Sequence, residues 1–354
     1  MAAVAAAPVA FSVDPWDPSY GVAYDEELAG SAPESSAELV LDLEVPADQW
    51  RPLTPDSSLA LPDTVLFLDG VRRIDARIWV HGASQNHGAS QNHGASQNHG
   101  ASQNHGASAQ PAPGIAASYA AGLVCLNGSA RIFDVVVRRG LFTSAADAVA
   151  IDCRHASYPA WTAAGPGIDK LSLALQQRLS DAEVQLALQF RGEHPDAGDL
   201  LFVDGPLRGR THLERTIGYI KTHHTTYLPD AQAAVVSALR PGQRTPAFTM
   251  GTSWRRNSWY LRLPGAPDVP WSGVVRLECS ADLTVPEVVR LADSSALLLP
   301  PLASSPHKDP RAPQNLVPIG GLERELRRRL GNQQLLYRAL RAAAAAAAAG
   351  AVTT

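Results

Sequence analysis

Two short stretches carry residues whose type and setting could do chemistry. Thr64–Gly70 reads TVLFLDG and Leu200–Gly205 reads LLFVDG. In each, consecutive apolar residues rich in Val, Leu and Phe have the composition of a strand buried on both faces. Each run then ends in an aspartate and a glycine, Asp69-Gly70 and Asp204-Gly205. Ionised carboxylates offer hard oxygen atoms that suit Mg²⁺ or Mn²⁺. Two such strand tips facing one point would share a cation. Taken singly, an aspartate before a glycine is more often a turn residue; the matched context of the pair favours the metal reading. Phosphodiester hydrolysis is the chemistry such a site serves. It needs an activated water and stabilised charge on the leaving oxygen, which two divalent cations about 3.5–4 Å apart supply.

Composition bounds the alternatives. A chain of 354 residues, 45% apolar, is long enough for one large domain or two ordinary ones with a sizeable core. A formal net charge of −4 gives no global positive field, which still leaves room for a local basic groove. Cys125, Cys153 and Cys279 lie far apart with no C-x-x-C spacing, which argues against a disulfide framework or zinc knuckle and fits a reducing cytoplasm. The N-terminal MAAVAAAPVAFSVDPWDPSYG has no Lys or Arg before its apolar part, is interrupted by Pro8 and runs into Asp14 and Asp17, so it does not read as a secretion signal. No stretch reaches the ~18 uninterrupted apolar residues of a membrane span, and Ala342–Ala349 reads as an extension of the last helix. The sequence contains neither G-x-x-x-x-G-K-[ST] nor G-x-S-x-G, so it offers no P-loop for nucleotide and no nucleophile elbow for acyl transfer.

The elements that must position the acids are read in chain order. Residues 1–35 form an irregular arm, and Glu38–Pro46 alternates as a strand. TVLFLDG and VRRIDARIWV read as a hairpin turning at Gly70, with Asp69 at its mouth. From His81 the hexapeptide HGASQN repeats four times without change and begins a fifth time, placing His81, His87, His93, His99 and His105 six apart. Its Gly, Ala, Ser and Asn cannot bury a core, so 81–113 is expected to be a disordered insert outside the main chemistry, with metal binding by the histidines as the alternative. Gly114–Leu126 and Ala130–Thr143 read as strands joined at Asn127-Gly128. Ile168–Phe190 is a helix, with a break at Ser180-Asp181 left open. Strands follow at Leu200–Gly205, Arg215–Thr222, Thr245–Gly251, Ser258–Leu263 and Gly273–Cys279, and helices at Asp230–Leu239, Val285–Leu299 and Gly321–Ala349. The expected fold class is α/β, a ribonuclease H-like mixed sheet with flanking helices. One domain spans 36–341, with an alanine-rich tail at 342–354.

Asp69-Gly70, Asp204-Gly205, IGYIKT, SWYLRLP and VVRLE, with VDPWDPSYG near the start and NLVPIGGLERELRRRLG near the end, resemble the NurA family of nucleases. The resemblance runs from about Val13 to Arg341 apart from the insert. It implies a manganese-dependent 5′-to-3′ nuclease on single- and double-stranded DNA, with Mn²⁺ or Mg²⁺ as cofactor. The implied setting is a cytoplasmic homodimer, without membrane association, working in DNA end resection beside a HerA-like hexameric ATPase. The family's first and third acids fall on Asp69 and Asp204, its second on Glu183 in DAEVQLAL, and its lysine on Lys221. All three acids would hold metal, and Lys221 would position the water or the scissile phosphate. The alternatives are a solvated helix face for Glu183 and an ordinary exposed lysine. A late histidine common in the family has no match: LVPIGGL stands in its place, and His307 lies upstream in a proline-rich loop.

DNA contact needs local cations. Arg208, Arg210 and Arg215 follow Asp204, while Trp254, Arg255, Arg256, Trp259, Tyr260 and Arg262 interleave guanidinium groups with rings. That pattern suits a single strand, with Arg208, Arg255 and Tyr260 as DNA-binding residues; core positions for Trp259 and Tyr260 are the alternative. Arg324, Arg327, Arg328, Arg329, Arg338 and Arg341 of the last helix read as a solvated face, with binding of a partner or DNA as the alternative. Asp75 reads as a surface or pairing residue, and His223 and His224 as exposed on opposite faces. Two other functions stay open: a scaffold of the same fold that has lost catalysis, and another metal-dependent phosphoesterase or RNA nuclease.

Overall fold

Gly70 does not turn the chain. Val65–Val80 is one uninterrupted strand of 16 residues (β2), where a hairpin was expected. A Cβ on Gly70 would lie 2.6 Å from Glu183 Oε1 and 2.7 Å from Leu179 Cδ1. The glycine is there so that a helix can approach the strand, the second meaning of a glycine inside a strand.

The computed structural model describes residues 37–81, 111–223, 225, 227–265 and 271–351. The N-terminal arm and nearly all of the HGASQN repeat lie outside the described residues. The remaining strands are β1 (Glu38–Val40), β3 (Ala112–Asn127), β4 (Ser129–Thr143), β5 (Ile151–Cys153), β6 (Ala156–Tyr158), β7 (Ala160–Thr162), β8 (Leu200–Asp204), β9 (Thr216–Ile220), β10 (Phe248–Gly251), β11 (Arg255–Arg262) and β12 (Val274–Ser280). The helices are α1 (Ile168–Glu193), α2 (Asp230–Ser237), α3 (Val285–Leu298), α4 (Val317–Arg329) and α5 (Gln333–Ala351). Ten strands form a mixed sheet in the order β1-β10-β11-β12-β9-β8-β2-β3-β4-β7, flanked by helices, and β5 pairs with β6 separately. The α/β class expected from the sequence is the class observed. Contacts divide the chain into two units, residues 37–68, 124–131 and 193–322 in the first and 69–123, 132–192 and 323–351 in the second.

In the first unit β2 pairs with β8 in parallel, and β8 with β9 in parallel. β9, β12, β11, β10 and β1 then continue antiparallel. A core of Trp50, Leu228, Val236, Leu239, Phe248, Met250, Tyr260 and Val274 packs there. The strand expected over Glu38–Pro46 shrinks to three residues. Asp42 accepts the Ala47 N–H at 2.7 Å and the Trp50 indole donates to the Leu41 carbonyl at 3.0 Å, curling the chain into a 3₁₀ turn at Ala47–Gln49.

In the second unit β4 pairs with β7 in parallel, and Ala76, Ala116, Leu141, Tyr158 and Leu340 are buried together. In the first unit Gly128, at φ +68, makes the expected Asn-Gly turn after β3. Helix α1 runs 26 residues without a break at Ser180. Leu171, Leu175, Leu179, Ala182, Leu186 and Phe190 keep one buried face at steps of three and four across that point, so the packing continues straight through it. The closing helix, by contrast, is two. Gly331 has φ +79, the left-handed conformation that ends α4, and Asn332 Oδ1 accepts the Leu335 N–H at 3.1 Å to start α5.

Two measurements check this packing. Gly70→Ala is expected to lower stability by about 1–3 kcal/mol through overpacking, read from the urea midpoint; an unchanged midpoint would mean that Leu179 and Glu183 do not press on Gly70. Glu325 accepts hydrogen bonds from Arg328 and Arg329 at 2.7 Å each, which hold its carboxyl down to about 2 from 4.5. A lowered folded pKa means stability that is present above 4.5 and lost as pH falls toward 2. Glu325→Gln should therefore melt slightly below the unsubstituted chain at pH 7, and the gap should close across pH 4.5 to 2.

Candidate active site

Backbone pairing sets the site's starting geometry. Within the first unit the parallel register runs Val65↔Leu200, Leu66↔Leu201, Phe67↔Phe202 and Leu68↔Val203. All eight side chains are buried, and the Phe67 and Phe202 rings stack at 5.5 Å. The next residue on each strand is an aspartate, Asp69 on β2 and Asp204 at the end of β8. Both strands point the same way, so each aspartate directly follows its paired apolar run, Asp204 at the end of β8 and Asp69 inside the longer β2.

In the second unit Asp69 is buried and accepts the Gly70 N–H at 2.7 Å. Glu183 is buried on α1 with its Oε1 over Gly70, the residue after Asp69. It is not on a solvated helix face. Asp75 is buried as well, against the surface position allowed by the sequence. Ser118 Oγ and Tyr158 Oη donate to its Oδ2, and Arg73 Nε donates to its Oδ1 at 2.9 Å. Burial, and then the Asp75 charge, raise the Tyr158 hydroxyl well above its usual pKa, so Tyr158 stays a donor. Asp75 is satisfied as a structural acid.

In the first unit Asp204 has a cation beside it. Lys221 Nζ donates to Asp204 Oδ2 at 2.6 Å and to Asn315 Oδ1 at 2.9 Å. Asn315 Nδ2 in turn donates to Asp309 Oδ2 at 2.7 Å. Lys221 is therefore no ordinary exposed lysine; its side chain is 12% exposed. Asp309 and Asn315 are residues that sequence reasoning missed. They lie in HKDPRAPQN, which has no periodicity to flag them, although Asn315 directly precedes the LVPIGGL stretch where a histidine was sought.

The loop after Asp204 is also anchored. Gly205 has φ +106, and Glu278, fully buried on β12, accepts the Leu207 N–H at 2.8 Å. Arg276 Nη1 and Arg256 Nε lie 3.0 and 3.1 Å from the other Glu278 oxygen. Arg256 thus serves a buried ion group, where a strand-binding cation was one of the expectations. Arg208 and Arg255 are exposed. Tyr260 is a core residue, stacked on Phe248 and flanked by His223 and Trp271, and its buried ring offers no face to a base. Trp259 is buried too, its indole donating to Ser295 Oγ at 3.1 Å. His223 is buried, with Nε2 3.0 Å from the Val274 carbonyl, so the exposed placement expected for it does not hold; His224 lies outside the described residues.

Among the described residues no group of three or more His, Cys, Asp or Glu is placed to hold a metal ion. Taken by unit, Asp69 and Glu183 of the second offer hard oxygens of the kind Mg²⁺ or Mn²⁺ takes, and Asp204 of the first offers its own beside the Lys221 ammonium group. Among the described residues no helix is long and apolar enough to cross a membrane.

No family model matches the chain, and no curated protein matches it. Among solved structures it is similar to the crystal structure of the NurA nuclease from Sulfolobus solfataricus, at 11% identity and a TM-score of 0.38, over 78% of this chain and 81% of that one. A superposition that loose leaves fold and chemistry resting on the strand order and side chains of the chain itself.

The anchoring of the loop is testable. Removing Glu278 leaves Arg256 and Arg276 buried as like charges, and breaking a buried ion pair in this way costs about 3–5 kcal/mol. Glu278→Ala should lose that much in chemical denaturation. A loss below about 1 kcal/mol would mean that water already screens the pair.

Proposed function

We propose that the chain is a divalent-metal-dependent nuclease that hydrolyses phosphodiester bonds in DNA, with Mn²⁺ or Mg²⁺ as its cofactor. The observation that carries this reading is the β2–β8 register, which makes aspartate the next residue on each of two neighbouring parallel strands. In this reading Asp69, Glu183 and Asp204 hold the metal, which when bound activates water and offsets charge on the leaving oxygen. Lys221 holds its ammonium group for the scissile phosphate or the attacking water, a point charge that can be aimed with three donors. Gly70 lets α1 bring Glu183 close to the strand. Glu278 fixes the loop that follows Asp204. The exposed Arg208 and Arg255 attract the DNA backbone, a contact that weakens with salt. DNA end resection, a HerA-like hexameric ATPase and a second copy of the chain are the setting and partners this reading implies.

The Lys221–Asp204 ion pair favours a second reading. An ammonium group already balances Asp204, as it would in a scaffold that binds DNA or the ATPase without cutting.

One experiment separates the two. Purified chain is incubated with Mn²⁺ or Mg²⁺ and labelled single-stranded DNA, double-stranded DNA or RNA. The expected outcome is metal-dependent DNA cleavage that falls on the order of a hundredfold or more in Asp69→Asn and in Glu183→Gln, with melting temperatures retained. DNA binding without cleavage by the unsubstituted chain would select the scaffold. Cleavage unchanged in Asp69→Asn would remove Asp69 from the site, and RNA cleaved in preference to DNA would change the substrate.

A further inference from the structure

Arginine supplies nearly all the positive charge of this chain: of its 30 Lys and Arg residues, only Lys170, Lys221 and Lys308 are lysines. Lys170 is half exposed and Lys308 is exposed. Lys221 alone of the three is largely enclosed, whereas the buried carboxylates of Asp75, Asp199 and Glu278 are met by guanidinium groups. An ammonium is compact and its three donors rotate, whereas a guanidinium is a rigid planar fork. Such a group keeps one aim only if its neighbours impose it.

Those neighbours form a directed chain. Lys221 Nζ spends one N–H on Asp204 Oδ2 at 2.6 Å and a second on Asn315 Oδ1 at 2.9 Å. For the third N–H no partner is found among the described residues. Asn315 is fully buried, and its Nδ2 donates to Asp309 Oδ2 at 2.7 Å. That contact decides which way the amide faces. Reversed, it would set an NH₂ against the ammonium and a carbonyl against a carboxylate, both repulsive. Asp309 is itself buried and fixed, its Oδ1 accepting the Arg311 N–H at 2.9 Å.

We propose that Asn315 and Asp309 are positioning residues: Asp309 orients the Asn315 amide, Asn315 and Asp204 together fix the Lys221 ammonium, and the third N–H is thereby aimed at a phosphate oxygen or the attacking water. The aim of that N–H rests on the nuclease reading; the holding of Lys221 does not.

Two readouts test this. Reductive methylation with formaldehyde and a mild hydride donor, followed by peptide mass spectrometry, gives the reactivity of each lysine in the folded chain. Lys170 and Lys308 serve as internal references. Lys221 is expected to react more slowly than both, and to speed up severalfold relative to them in Asn315→Ala and in Asp309→Asn. Equal rates in the variants and the unsubstituted chain would overturn the proposal. Asp309→Asn keeps the size of the side chain and decides the question if Asn315→Ala does not fold. In DNA cleavage, Asn315→Ala should lower kcat on the order of tenfold to a hundredfold with little change in KM, the scale of a misaimed group. It should lower kcat no further in a Lys221→Ala background, because its effect passes through Lys221. A further loss in that background would mark a merely structural role and overturn the proposal. If the unsubstituted chain cleaves no DNA, the nuclease reading fails, and the methylation rates still decide whether Asn315 and Asp309 hold Lys221.

Discussion

The parallel pairing of β2 with β8 is the constraint on which the rest depends. Val65–Leu68 and Leu200–Val203 are buried apolar runs, and six of their eight side chains have no exposure at all. Fully burying one such side chain is worth about 1.5–3 kcal/mol. Their burial holds the register against the cost of the acid at the end of each run, a group that an apolar core would otherwise exclude. A slip of one residue would turn every side chain to the opposite face. The apolar neighbours thus set which residue follows each paired run.

The acids, buried at Asp75 and Glu278 and half-buried at Asp204, are then stabilised in different ways. Asp75 is met by two hydroxyls and Arg73, a satisfied arrangement with little reason to change. Glu278 takes two arginines and a backbone N–H, which ties β11 and β12 to the loop after Asp204. Asp204 takes the ammonium of Lys221, a partner held in turn by Asn315. Rigid forks meet Asp75 and Glu278, and an adjustable ammonium meets Asp204 at the end of β8. The division follows from shape, because an ammonium is a compact point charge with rotatable donors and a guanidinium is a planar fork committed to its partner.

Single residues often had two meanings that only packing separates. A glycine within an apolar strand signals either a turn or a close approach, and at Gly70 the approach of α1 decides for the second. Tyr260 among arginines reads as a base-stacking ring, yet its strand lies inside the sheet and the ring joins the Trp50–Phe248 core. Ser180-Asp181 offers a helix start that α1 ignores because its apolar face continues past it. Gly331-Asn332, in contrast, carries a stop and a start in two adjacent residues, and both act.

By itself the sequence determined the α/β class, the two buried strands, the Asn-Gly hairpin and the aspartates that close each apolar run, because these rest on local patterns of two to eight residues. The tertiary structure alone decided that β2 is continuous, that Tyr260 and His223 are enclosed, and that Asn315 reaches Lys221. Those contacts join positions distant along the chain, 51 residues apart between His223 and Val274 and 94 between Lys221 and Asn315. No local periodicity encodes them: they arise from which faces are left to pack once the strands have paired.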